Sequence, residues 1–225
     1  MSSRTRPSPQ RVNARQRARQ RAEQQRRRQR LLLIIGSSLG VLIVVGGLLA
    51  GIHIFGTIQN QRRTAAALAV DGVDCQNSEA LAYHIHAHLS LYQDGKPVTL
   101  PANIGIPVGS TIPSGQCFYW VHVHDTTGVV HIESPTTKTY TLGQMLDIWD
   151  RTSQLDSQGG GSTQVDSSFV TALRAANPND VHVYVGDKLM SDYASIPLTA
   201  HELITIEIGG PLQPPTTAYT FPNGE

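Results

Sequence analysis

Residues 83–100 of this chain read YHIHAHLSLYQDGKPVTL. Apolar and polar side chains alternate along the first ten positions, which is the pattern of a β-strand with two different faces. Asp94-Gly95 then interrupts the alternation, and an Asp-Gly pair between two such runs is a strong signal for a tight hairpin turn. The sequence therefore predicts a β-hairpin whose first strand presents His84, His86 and His88 on one face.

A second histidine-bearing segment spans residues 117–134 and reads CFYWVHVHDTTGVVHIES. It predicts another hairpin, which turns at its Asp-Thr-Thr-Gly sequence. With a four-residue loop, His122 lies directly opposite His131, and His124 lies on the same face two pairs nearer the turn. A loop longer or shorter by one residue would send His131 to the other face. The predicted register thus gathers three imidazoles, with Glu133 nearby.

These two segments contain six of the nine histidines of the chain. Imidazole is the commonest protein ligand for zinc, copper and nickel at neutral pH. His84 and His88 lie about 13 Å apart along a strand, so at most one neighbouring pair of the first segment, 84/86 or 86/88, can bind one ion. Adjoining histidine faces would allow a mixed or a second site. The candidate ligands of a zinc or copper ion are His84, His86, His88, His122, His124 and His131.

The first sixty residues combine a basic segment with an apolar one. Residues 1–30 contain eleven arginines and a single acid, and we expect them to form a cytoplasmic tail that is disordered or loosely helical. Residues 31–58 carry no charged side chain and are long enough to cross a hydrocarbon core about 30 Å thick. A cleaved signal peptide is the alternative, although the apolar run is too long for one. We expect an uncleaved anchor with a cytoplasmic N-terminus, because the arginines precede it.

The rest of the chain is expected to lie outside the cytoplasm, as a linker (59–72), a domain (73–210) and a proline-rich tail (211–225). Residues 64–225 carry a net charge of −11, which favours cations and disfavours nucleic acid. The expected partners are membrane lipid, through the anchor and the basic tail, and a membrane protein. The expected location is the cell membrane, with a single membrane pass.

The chain has two cysteines, Cys75 and Cys117, and both follow the apolar segment. Two cysteines in an oxidising compartment most simply form one disulfide. Buried free thiols and a redox pair are the alternatives, but the spacing does not resemble a C-x-x-C motif. The sequence therefore favours a disulfide that ties the start of the domain to the second histidine segment.

Helical and strand patterns alternate in the second half of the domain. TYTLGQMLDIWD, residues 139–150, has apolar side chains at helical spacing, and Thr141 with Gln144 forms a capping box. SSFVTALRAA predicts a shorter helix, and VHVYVGDKLM and ELITIEIG predict further strands. We predict an α+β fold, in which helices cover one face of a mainly antiparallel sheet. A β-grasp-like roll is the specific expectation, and a β-sandwich of cupredoxin type is the alternative.

Three segments together, YHIHAHLSLYQDGKPVTLPANIGI, CFYWVHVHDTTGVVHIES and TYTLGQMLDIWD, resemble a group of uncharacterised bacterial membrane-anchored extracytoplasmic proteins with a histidine-rich domain. The resemblance covers about residues 70 to 210. It implies no established activity, cofactor or ligand set, so it bears on homology more than on function.

The sequence favours a membrane-anchored, extracytoplasmic protein that binds zinc or copper. It contains no G-x-S-x-G, phosphate-loop or H-E-x-x-H motif, so an enzyme is not indicated. The main alternative is a non-catalytic structural or accessory subunit of a membrane assembly, in which the histidines form a polar network. A metal-dependent hydrolase or lyase is the third reading, because three imidazoles with an open position also occur in catalytic zinc sites.

Overall fold

A computed structural model describes residues 9–110, 112, 115–160, 164–222 and 224. These residues belong to two compact units that divide between residues 59 and 60. The first eight residues of the predicted basic tail lie outside the described part of the chain. Residues 9–30 of that tail are helical and form the first part of the long helix α1 (Pro9–Leu68).

Helix α1 contains the apolar segment predicted from the sequence. Among the described residues, Ile43–Leu68 is long and apolar enough to cross a membrane. The large apolar side chains between Ile43 and Ile58 are exposed. The helix also extends through most of the predicted linker, because the run Ala65–Leu68 consists of strong helix formers.

The second unit contains the sheet and the shorter helices. Its helices are α2 (Leu142–Gly159), α3 (Ser168–Ala175) and the 3-10 turn η1 (Pro178–Asp180). Its strands are β1 (Cys75–Gln76), β2 (Tyr83–Gln93), β3 (Lys96–Val98), β4 (Phe118–Tyr119), β5 (Val121–His122), β6 (Val129–Ser134), β7 (Tyr140–Thr141), β8 (Val181–Val185), β9 (Lys188–Met190), β10 (Pro197–Leu198) and β11 (Leu203–Ile208). The domain is therefore α+β, as the sequence predicts.

Seven of the described strands form one sheet in the order β5-β6-β2-β11-β8-β9, with β3 paired to the second half of β2. All neighbours are antiparallel except β2 and β11, which are parallel. The predicted first hairpin is present, and Asp94 and Gly95 at its turn both have positive φ, as a two-residue turn of this kind requires. The pairs β1-β4 and β7-β10 form two small additional sheets.

The hydrophobic core combines one face of the large sheet with the two helices. Ala87, Val121 and Ile132 from the sheet belong to the same cluster of buried side chains as Met145 of α2 and Leu173 of α3. Helix α2 begins with the predicted capping box, because the Thr141 hydroxyl accepts from the Gln144 amide and the Gln144 side chain accepts from the Thr141 amide. The amphipathic helix pattern of the sequence thus marks a helix packed on the sheet.

Cys75 and Cys117 form a disulfide with an S–S distance of 2.06 Å, as the sequence predicts. It joins the short strand β1 to the residue that precedes β4, and β1 and β4 are themselves paired. Both cysteines are buried in the core. The disulfide therefore ties the beginning of the domain to the segment that leads into the second histidine hairpin.

Gly105 lies against the strand that carries His122. Its φ is +77°, and a β-carbon at this position would lie 2.6 Å from the Val121 carbonyl oxygen and 2.8 Å from the His122 β-carbon. Its amide donates to the Thr152 hydroxyl of α2, and its carbonyl accepts from Tyr119. Only glycine meets both the backbone conformation and the close approach at this point.

We predict that Gly105→Ala lowers the free energy of unfolding of fragment 60–225 by about 2–5 kcal/mol in urea titrations, from the positive φ and the steric clash together. Gly186→Ala is the matched control, because Gly186 also has positive φ (+57°) but open space around it. The control should lose only about 1–2 kcal/mol. Equal losses in the two variants would contradict the close approach of Gly105 to β5.

Candidate metal centre

Strand pairing brings the two histidine segments together on one face of the sheet. His131 of β6 pairs with His122 of β5 on one side and with His86 of β2 on the other. His84 pairs in the same way with Glu133. Directly paired residues of neighbouring strands share a face, so these five side chains lie together. The predicted opposition of His122 and His131 is confirmed.

The ladder of the second hairpin is shorter than the sequence predicts. It ends at the pair His122–His131, and the Val123 amide, which faces away from β6, donates to the carbonyl of Ile104. The two closing pairs that the predicted four-residue loop requires, Val123 with Val130 and His124 with Val129, are absent from the ladder, so that loop is not formed. His124 nevertheless stays near the cluster, with its Nε2 atom 3.2 Å from that of His122.

The first group of candidate ligands consists of His84, His86, His131 and Glu133. The Nε2 atom of His86 lies 2.9 Å from that of His84 and 3.1 Å from Nδ1 of His131. The Oε1 atom of Glu133 lies 3.0 Å from His84 Nε2 and 3.5 Å from His131 Nδ1. All four ligand atoms are within 4.8 Å of one another, which is close enough to surround one ion.

The second group consists of His122, His124, His131 and Glu133, so it shares two members with the first. The Nδ1 atom of His122 lies 2.8 Å from the Tyr119 carbonyl oxygen. A carbonyl oxygen only accepts hydrogen bonds, so Nδ1 carries the proton and the Nε2 lone pair faces the other ligands. This backbone contact orients His122 as second-sphere hydrogen bonds orient the histidine ligands of metals.

Glu79 belongs to the same neighbourhood, although the sequence did not single it out. Its Oε1 atom lies 3.3 Å from His124 Nε2 and 3.8 Å from His122 Nε2. It comes from the irregular segment between β1 and β2, where no periodic pattern marks it. Its position is set by the path of the segment that connects Cys75 of the disulfide to strand β2.

His88 is a member of neither group of candidate ligands found among the described residues. Its Nε2 atom contacts the carbonyl oxygen of Thr127 at 3.2 Å, and its ring stacks on Tyr219 of the C-terminal tail with centroids 3.8 Å apart. The strand spacing that separates His88 from His84 accounts for this difference. Of the two neighbouring pairs that the sequence allowed, the structure brings together His84 and His86.

The polar face of the sheet is buried nearly as deeply as the apolar one. His86, His122, His131 and Glu133 are buried, whereas His84 and His124 are exposed. The pKa of both His86 and His122 is lowered to about 4, chiefly by burial, and for His86 also by the neighbouring imidazoles of His131 and His84. Both imidazoles are therefore neutral at pH 7, which is the form that coordinates a metal.

Glu133 is the acidic group at the centre of the cluster. Burial raises its pKa, but the hydrogen bond from His131 and the surrounding imidazoles outweigh burial, so the net pKa lies below the usual range. Its Oε2 atom is buried and has no hydrogen-bond partner among the described residues. A buried carboxylate oxygen without a donor is costly unless a cation faces it. A donor set of imidazole nitrogens and carboxylate oxygens could hold a metal ion.

Comparison of the chain with protein-family models, with curated proteins and with solved structures finds no match in any of the three.

We predict that the metal-free domain loses stability as the pH falls from about 6.5 towards 4. His86 and His122 have a pKa of about 4 in the folded state, against 6.5 for an ordinary histidine, so they take up protons on unfolding in this range. Each proton taken up contributes a slope of about 1.4 kcal/mol per pH unit, and the stability is fully present above pH 6.5. Glu133, with its lowered pKa, acts in the same direction at the acid end.

The measurement is urea unfolding of fragment 60–225 with chelator at several pH values between 4 and 7. His122→Gln removes one titrating group and should reduce the slope. A wild-type free energy of unfolding that does not change across this range would show that the two imidazoles are not buried in neutral form.

Proposed function

We propose that this protein is a membrane-anchored metal-binding protein whose extracytoplasmic domain holds zinc or Cu(II) on the histidine face of its sheet. One observation carries the proposal: imidazoles from three neighbouring strands converge on the buried carboxylate of Glu133. Thiolate ligands are not available, since both cysteines form the disulfide. Soft Cu(I) is therefore a poor match, and borderline divalent ions are a good one.

The orientation in the membrane is part of the same proposal. Eleven arginines precede the apolar helix and two follow it closely, which supports a cytoplasmic N-terminus by the positive-inside rule. The disulfide supports an oxidising compartment for the domain. The basic tail would then lie against anionic lipid of the inner leaflet, and the acidic domain would face a pool of free cations.

The strand order supports the β-grasp-like expectation for the domain. The order β3-β2-β11-β8-β9 is the arrangement of a β-grasp roll. Of these five strands, β2 comes first in the chain and β11 comes last, and the two are parallel neighbours at the centre. On this reading the β5-β6 hairpin is an addition to the roll that extends the sheet beside β2. That addition supplies three of the five clustered histidines.

The main alternative is a structural module whose histidines only hydrogen-bond with one another. The close contacts His84–His86 and His86–His131 favour it, because one imidazole can donate to the next. In a purely structural module the buried Glu133 Oε2 atom has no hydrogen-bond donor, whereas a bound metal ion would supply a positive charge beside it. A metal-dependent hydrolase or lyase is the third reading, and the exposed rim at His84 and His124 would be its route for substrate.

We predict that the untagged fragment 60–225 takes up at least one zinc or Cu(II) ion per chain after dialysis, as measured by elemental analysis. His131→Ala should lower this content sharply, because His131 belongs to both ligand groups. His182→Ala is the matched control, since His182 belongs to neither, and its metal content should equal that of the wild type. Binding should also raise the melting temperature, and chelator should abolish the shift.

A fragment that stays metal-free, and whose melting temperature ignores zinc, copper and chelator alike, would rule out the metal reading in favour of the structural module. Metal binding together with hydrolysis of a test substrate that is lost in His131→Ala would favour the enzyme.

We predict that a reporter fused after residue 225, active only outside the cytoplasm, is active in cells, and that the full chain stays in the membrane fraction. A variant with the eleven arginines of residues 1–30 changed to glutamine should reduce this activity, because the charge bias that orients the helix is lost. The matched control changes Arg62 and Arg63 to glutamine and should keep the activity. A soluble mature form that begins near Val70 would refute the anchor.

A further inference from the structure

The two oxygens of Glu133 face two different sets of ligands. Oε1 lies 3.0 Å from His84 Nε2 and 3.5 Å from His131 Nδ1. Oε2 faces the other way, 4.0 Å from His122 Nε2, and has no hydrogen-bond partner among the described residues. A carboxylate whose oxygens serve two sets of nitrogens has the form of a bridge.

His131 cannot serve both sets through the same nitrogen. Its Nδ1 atom lies 3.1 Å from His86 Nε2 and 3.5 Å from Glu133 Oε1, so this atom belongs to the first set. In a neutral imidazole the other ring nitrogen carries the proton, so a ring that binds an ion through Nδ1 offers no lone pair to a second ion. An ion held by Nδ1 beside His84 and His86 therefore leaves the second set in need of another ligand.

Glu79 lies where it can supply the additional ligand of the second set. Its Oε1 atom is 3.3 Å from His124 Nε2 and 3.8 Å from His122 Nε2, and the two imidazole nitrogens are 3.2 Å apart. Tyr119 already holds the His122 ring with Nε2 directed towards this set. The second set thus becomes two nitrogens and two carboxylate oxygens.

We infer that the domain holds two divalent metal ions bridged by the carboxylate of Glu133, an inference that rests on the proposed metal-binding function. The first ion is bound by His84 Nε2, His86 Nε2, His131 Nδ1 and Glu133 Oε1. The second ion is bound by His122 Nε2, His124 Nε2, Glu79 Oε1 and Glu133 Oε2.

The distances between ligand atoms fit this assignment. Four ligands about 2.05 Å from a tetrahedral ion lie about 3.3 Å from one another. The first set has neighbouring separations of 2.9, 3.0, 3.1 and 3.5 Å. The second set has 3.2, 3.3, 3.8 and 4.0 Å, so it needs a contraction of several tenths of an ångström. The exposed side chains of Glu79 and His124 permit it for the first three separations, and the fourth, between the buried His122 and Glu133, closes if the Glu133 carboxylate turns.

The charges fit as well. Two carboxylates and five neutral imidazoles give a ligand set of charge −2 for two divalent cations, inside a domain that is itself strongly acidic. Bridged pairs of this kind in proteins hold their ions about 3.5–4 Å apart. The exposed rim formed by Glu79, His84 and His124 leaves one side of the pair open to solvent.

The test uses the untagged full chain in detergent micelles, loaded by dialysis against Zn(II) or Cu(II) and analysed for metal per chain. Two ions per chain are expected with either metal. Two bridged Cu(II) ions should also give a half-field signal in electron paramagnetic resonance, and an integrated intensity below that of two isolated ions.

The variant His124→Ala with Glu79→Gln removes two exposed ligands of the second set and leaves the first set whole. It should bind one ion and lose the half-field signal. The variant His84→Ala with His86→Ala removes two ligands of the first set, and it should also bind one ion and lose the half-field signal. His182→Ala with Glu202→Gln, a histidine and a glutamate outside both sets, is the matched control and should keep two ions and the signal. Circular dichroism checks that each variant is folded.

A wild type that binds one ion, with no half-field signal, overturns the two-ion inference but leaves the proposed function standing. The same holds if either double variant abolishes all binding while remaining folded, because the ligands then form a single mixed site. A wild type that binds neither metal overturns both the inference and the proposed function.

Discussion

The backbone pairing of β2 with β6, and of β6 with β5, is the constraint on which the core and the candidate site both depend. The register places His86, His131 and His122 in one row across three strands. It also places Ala87, Val130 and other apolar side chains on the opposite face, against the helices. Because side chains alternate along a strand, a slip of one residue would turn the imidazoles of that strand into the apolar core and its apolar side chains into the polar cluster.

The buried polar face that this register creates is built around the carboxylate of Glu133. A carboxylate removed from water costs several kcal/mol unless positive charge or hydrogen-bond donors replace the lost hydration. Imidazoles surround Glu133 from three strands, and burial keeps two of them, His86 and His122, neutral at pH 7 by lowering their pKa to about 4. The cluster thus combines a buried carboxylate, whose Oε2 atom has no hydrogen-bond partner among the described residues, with available nitrogen lone pairs. A divalent cation satisfies both requirements at once.

Local patterns in the sequence predicted the elements that local physics controls. The Asp94-Gly95 turn, the capped helix α2 and the opposition of His122 and His131 follow from short stretches of chain, and all are present. The end of the second ladder at His122 does not follow from the local pattern, and neither does the bond from the Val123 amide to the carbonyl of Ile104, nineteen residues upstream in the chain. The burial of the histidine face, against the usual expectation for polar residues, also depends on distant segments.

The sequence by itself determined which side chains share a face, because the two-residue period of a strand leaves no other choice once the strands are recognised. It also determined the apolar helix and the partner of each cysteine, since only two cysteines are available. Only the tertiary structure decided that β2 and β6 are neighbours, that His88 is kept apart by Tyr219 and Thr127, and that Glu79 meets His124. These contacts join residues that are far apart in the chain or lie in irregular segments, where no periodicity specifies direction and packing alone sets the distance.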